Sequence, residues 1–81
     1  MNAEESRAAV LSLLAQIAPE ADVDGLDADR DLRRAADLDS LDFQTLVERV
    51  AETTGVEIPE TDYPLVRSLR GLSDYLAART E

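Results

Sequence analysis

A chain of 81 residues makes one small core, expected as a single domain over 1–81. Hydrophobic residues are 44% of the chain, but twelve are alanine and three aromatic, so that core is thin and built from Leu, Val and Ile. A net charge of −10 argues against nucleic acid, whose phosphates need clustered Lys and Arg, and steers basic partner surfaces toward the chain.

There is no cysteine, hence no disulfide framework and no thiolate metal site. No apolar run approaches bilayer length, so no membrane insertion is expected. The opening MNAEESRAAV places acids ahead of its apolar residues, the reverse of a secretory signal, and a cytoplasmic monomer follows as the expectation. The chain also lacks His and Lys.

The first predicted helix starts at Asn2, a good N-cap, with Glu5 three residues on completing a capping-box pattern. Val10, Leu14 and Ile17, with Leu11 beside them, recur at helical spacing, and Pro19 stops the run. Residues 18–39 form a long acidic connection in which Val23, Leu26, Leu32 and Leu38 are spaced as anchors onto a core. A short helical turn is expected around Leu32–Ala36.

The second main helix begins with Asp39 as N-cap and Ser40 at the first helical position, and Asp42 suits the positive end of the helix dipole. Leu46, Val47, Val50 and Thr54 form its expected inward face, Gly55 its C-terminal stop, and Pro59 a breaker beyond it. In TDYPLVR, one or two helical turns are expected, with Pro64 tolerable only in a first turn. Ser68 caps a last helix with Leu69, Leu72 and Leu76 on one side and Tyr75 next to them. The predicted fold class is all-α: three main helices, one short one, and a long loop between the first two main helices.

The stretch DLDSLDF, residues 37–43, poses the functional question. Ser40 could be a helix cap, a nucleophile or an attachment point. A nucleophile needs a neighbouring base, normally His or Lys, and the chain has neither, so the protein is not expected to be an enzyme. As a cap it would be redundant beside Asp39. As an attachment point it would put a phosphate ester at a helix N-terminus, where free N–H groups and partial positive charge favour an anion.

Here the sequence resembles the acyl carrier proteins, whose Asp-Ser-Leu serine receives 4′-phosphopantetheine from coenzyme A. The resemblance rests on Leu38-Asp39-Ser40-Leu41-Asp42, the preceding amphipathic helix and acidic loop, Gly55-Val56-Glu57-Ile58-Pro59, and the closing Leu72-Ser73-Asp74-Tyr75-Leu76. It implies that Ser40 carries the arm and that the arm's thiol carries acyl groups as thioesters. It implies that Asp39, Leu41 and Asp42 belong to the cofactor site and help a phosphopantetheinyl transferase dock. It further implies that Leu41, Gln44, Glu48 and Glu52 meet acyl-loading and acyl-processing enzymes with basic docking surfaces. Glu48 and Glu52 read equally well as an ordinary solvated helix face.

Gln44, Thr45 and Arg49 depart from the family's usual apolar, acidic and small residues, and Phe43 is bulkier than usual, lining or partly filling the space where acyl chains insert. These departures point away from bulk fatty-acid synthesis, toward a specialised fatty-acid or secondary-metabolite pathway. Two alternatives stay open: an unmodified acidic interaction module, and a carrier domain excised from a polyketide or non-ribosomal peptide synthase. Met1 and the lack of a flanking linker favour a free-standing carrier. DVDGLDADRD suggests a calcium loop, but Asp27 falls where an apolar residue belongs, and no metal site is expected.

Overall fold

Helix α1 (Ala3–Ile17) begins where the capping box predicts. Asn2 Oδ1 accepts from the Glu5 N–H at 2.8 Å, and Glu5 Oε1 accepts from the Asn2 N–H at 3.0 Å. The computed structural model describes residues 1–80. After α1 come α2 (Leu32–Ala35), α3 (Ser40–Thr54), the 3-10 helix η1 (Glu60–Leu65) and α4 (Leu69–Arg79). Among the described residues the architecture is all-helical, with three main helices and two short ones.

Val10 and Leu14 of α1 are fully buried, whereas Ile17 and Leu11 are only half-buried at the edge of the stripe. The chain's start lies against the end of α4: the Met1 ammonium donates to the Thr80 carbonyl at 3.1 Å. Ser6 of α1 and Ser73 of α4 are also buried, with hydroxyls that have no hydrogen-bond partner among the described residues. A periodicity that counts only apolar side chains passes over both.

The long connection after α1 is ordered by the anchors its sequence suggests. Leu26, Leu32, Ala36 and Leu38 are buried, and Val23 packs against them half-buried. Its carboxylates serve the local backbone, as Asp22 accepts from the Gly25 N–H at 3.1 Å and Asp27 from the Asp29 N–H at 3.0 Å. Backbone hydrogen bonds fasten the loop to the start of α4: the Leu32 N–H donates to the Arg67 carbonyl at 2.6 Å, within an antiparallel bridge that pairs Asp31 with Ser68, and the Arg70 N–H donates to the Ala28 carbonyl at 2.8 Å. α2 then starts under its own cap, with Asp31 Oδ1 accepting from the Arg33 N–H at 2.9 Å.

In α3, Phe43, Leu46, Val47 and Val50 face the core. Thr54 stays half-buried because its hydroxyl turns back to donate to the Val50 carbonyl at 2.7 Å. Gly55 closes the helix at φ 75°, a left-handed conformation that glycine adopts without a Cβ penalty.

Pro64 is a correction to the sequence reading: it stands fifth of six residues in η1, not in a first turn. The segment tolerates it because η1 is a succession of tight turns, with bonds from the Asp62 N–H to the Pro59 carbonyl and from the Val66 N–H to the Tyr63 carbonyl. A ring without an N–H removes one link there and breaks no long ladder. The Tyr75 hydroxyl donates to Asp62 at 2.6 Å, tying α4 to η1, and that bond raises the phenol's pKa above its ordinary value. Among the described residues no helix is long and apolar enough to cross a membrane.

Candidate functional site

Ser40 owes its position to the residues just before it. Asp37 turns the chain at φ 55°, a left-handed conformation Asp tolerates better than most side chains. Leu38 then plugs into the core at 7% exposure, its N–H bonded to the Arg33 carbonyl at 2.8 Å. Asp39 is extended at φ −87° and ψ −179°, so helical geometry begins at Ser40.

The cap is reciprocal. Asp39 Oδ1 accepts from the Asp42 N–H at 2.8 Å, and Asp42 Oδ2 accepts from the Asp39 N–H at 3.4 Å. Both flanking carboxylates thus serve the backbone, and among the described residues neither is hydrogen-bonded to the Ser40 hydroxyl. The Asp39 carbonyl takes the Phe43 N–H at 3.0 Å. At a helix start the N–H groups of Ser40 and Leu41 have no intrahelical acceptor, and with the helix dipole they favour an anion at this corner.

Around the exposed hydroxyl the surface divides in two. One side runs along α3, where Leu41 is 73% exposed and Gln44, Glu48 and Glu52 follow it as solvent-facing residues at helical spacing. The other side is a groove of about 220 Å³ between α3 and η1. Ser40, Phe43 and Gln44 line it from α3, Glu60 and Tyr63 from η1, and Arg33 and Arg67 close it. Phe43 is buried and meets Tyr63 edge to face, centroids 5.9 Å apart at 84°, so it forms a wall of the groove.

Sequence reasoning placed Asp39, Ser40, Leu41 and Asp42 at one helix start, where the structure has them, but it missed the reciprocal capping by Asp42. It also missed the groove. Arg33 and Arg67 carried no local signal, because it is long-range backbone bonding between residues 28–32 and 67–70 that brings the two segments together. Burial alone would raise the Asp31 carboxyl's pKa. The Arg33 N–H and guanidinium, with Arg67 nearby, outweigh burial and hold it below the usual range.

Compared with known families, residues 8–76 match the one described as "Phosphopantetheine attachment site". The match covers most of the chain, which therefore belongs to that family: a carrier fold to which 4′-phosphopantetheine is attached, and not itself a catalyst. No curated protein matches the chain.

The residues present suit such a group, which joins a protein through a phosphate ester on a hydroxyl. Of the five serines, Ser6 and Ser73 are buried, and the half-buried Ser68 spends its oxygen on the Gly71 N–H at 3.0 Å. Ser12 is exposed along the body of α1, away from any helix end. Ser40 is both exposed and set at the N-terminus of a full-length helix.

Proposed function

We propose that Ser40 is the attachment point of 4′-phosphopantetheine and that this protein carries acyl intermediates for a specialised pathway. The observation that carries this reading is the division of labour at the start of α3: Asp39 does the capping, which leaves the Ser40 hydroxyl exposed and uncommitted. The arm, when attached, ends in a thiol that holds acyl groups as thioesters, chemistry a chain without cysteine does not have.

The polypeptide's own part is to bind and present. The first-turn N–H groups of Ser40 and Leu41 face a phosphate ester on the hydroxyl and stabilise its charge. With no His or Lys in the chain, the base that activates Ser40 must come from the modifying transferase. Leu41 supplies an apolar anchor for that transferase and for acyl-loading and acyl-processing enzymes, with Asp39 and Asp42 beside it. Gln44, Glu48 and Glu52 extend the same face toward their basic surfaces. The polar residues at Gln44, Thr45 and Arg49 support enzymes other than those of bulk fatty-acid synthesis.

Intact mass after incubation with coenzyme A and a phosphopantetheinyl transferase tests the attachment. The expected result is a gain of one phosphopantetheine in the wild type and none in Ser40→Ala. No gain in the wild type would return the chain to an unmodified acidic interaction module. The pathway is tested separately by offering the holo-protein to general fatty-acid-synthesis enzymes, and efficient loading and elongation would overturn specialisation.

A further inference from the structure

The groove beside Ser40 is an exception to the charge of the chain around it. The protein carries eighteen acids against eight arginines, and the segment from Glu20 to Asp42 alone holds nine acids and three arginines. Yet the groove's walls bring two arginines, Arg33 and Arg67, to one acid, Glu60. The carboxylates nearest in sequence, Asp39 and Asp42, are turned onto each other's backbone N–H groups.

The two arginines lie 34 positions apart in sequence and are held together by the backbone. The Leu32 N–H bonds to the Arg67 carbonyl, the residue before Arg33 thereby gripping Arg67 itself, and that bond belongs to the antiparallel bridge that pairs Asp31 with Ser68. Neither guanidinium is tightly committed. Arg33 Nε stands 3.5 Å from Asp31 Oδ1, with the Arg33 side chain 46% exposed. Arg67 has no carboxylate oxygen within 4.0 Å among the described residues.

We propose that Arg67 and Arg33 form a clasp for the phosphodiester of an arm on Ser40, which lays the first part of the arm into the groove against Phe43 and Tyr63. This rests on Ser40 being the attachment point. A guanidinium presents planar, paired donors that match phosphate oxygens, and the ion pair forms at a site already biased by the helix N-terminus. A second anion, a carboxylate on the cargo, has the same chemistry. The phosphorus, however, is bonded directly to the serine oxygen and so stands at the groove's mouth wherever the rest of the arm points. A cargo carboxylate lies at the far end and reaches the arginines only if the whole arm folds back. Proximity assigns the clasp to the phosphodiester. The clasp also offsets the cost of adding an anion between Asp39 and Asp42 on a surface that is already strongly acidic.

Arginine side-chain NMR on the apo- and holo-protein, with mass confirming complete modification, tests this. The Nε–Hε resonances of Arg33 and Arg67 are expected to shift on modification, while those of Arg7 and Arg79 stay in place. The holo-protein's ³¹P resonance is expected to move in Arg67→Gln and Arg33→Gln, and to return toward the wild-type position in Arg67→Lys. Any gain in Tm on modification is expected to shrink in the glutamine variants, and in the wild type near 1 M salt, where the Debye length falls to about 3 Å. Complete modification without movement of either arginine resonance overturns the clasp and leaves the attachment site standing. So does movement that appears only after loading with a carboxylate-bearing acyl group and not with a neutral one. Failure of modification itself is read by mass alone and bears on Ser40. The wild-type comparison needs no variant to fold.

Discussion

The chain contains two Ser-Leu pairs at helix starts, and they do opposite things. At α4, Ser68 is the N-cap; its oxygen accepts the Gly71 N–H, and Leu69 behind it is fully buried. At α3, Asp39 is the cap; Ser40 stands one position later with a free hydroxyl, and Leu41 behind it is 73% exposed. A shift of a single position relative to the cap turns a hydroxyl that holds a helix into one that can be modified. It also rotates the following leucine from core to solvent, since one residue on a helix is about 100°.

The sharpest break in that symmetry is expected from the leucines. Leu69→Ala should lower stability by about 2–5 kcal/mol, as a fully buried leucine leaves a cavity, measured by denaturant unfolding. Gly71→Ala comes next. Alanine is normally the better helix former, but a Cβ here meets the Leu65 carbonyl oxygen and the Ser68 hydroxyl. The close approach of η1 to α4 should make the change cost about 1–3 kcal/mol.

The caps follow. Asp39→Ala and Ser68→Ala should each cost about 1 kcal/mol. Ser40→Ala should move stability by no more than about 0.5 kcal/mol while abolishing the mass gain that Ser68→Ala retains. A Ser40→Ala protein as unstable as Asp39→Ala would mean that the serine shares in the cap after all.

A smaller effect separates the two helix starts by pH. Arg70 in the first turn of α4 is badly placed for the dipole, and Asp29 compensates through a hydrogen-bonded ion pair at its guanidinium. That bond holds the Asp29 carboxyl below the usual carboxylate pKa. A lowered folded-state pKa adds stability that is present above the unfolded value of about 3.9 and lost as pH falls through the folded one. Arg70→Gln should therefore lower stability slightly at neutral pH and leave it unchanged at the acid end, which flattens the acid limb of the stability profile below about pH 4. The smallest effect is that of Leu41→Ala, within about 0.5 kcal/mol in stability, with weaker binding by partner enzymes as its only consequence.

The helix boundaries were legible in the sequence because their causes are local. Asn2 with Glu5, Asp39, Gly55 and Ser68 act on backbone groups within four residues of themselves. Pro64 was misjudged because the rule applied to it belongs to long α-helices, and η1 is a short run of tighter turns. Ser6 and Ser73 were overlooked as interior residues because their burial depends on how α1 lies along α4, which no periodicity of either helix encodes.

The same distinction runs through the candidate site. Sequence alone determined that a serine would follow an aspartate cap at the head of an amphipathic helix, in a chain with neither His nor Lys. Only the tertiary structure decided that this serine opens onto a groove walled by Phe43 and Tyr63, with Arg33 and Arg67 drawn to its rim. Cap and helix are set by hydrogen bonds a few residues long. The groove exists because a loop's backbone is stitched to a strand-like turn more than thirty residues away, and contacts at that separation leave no mark in the local pattern.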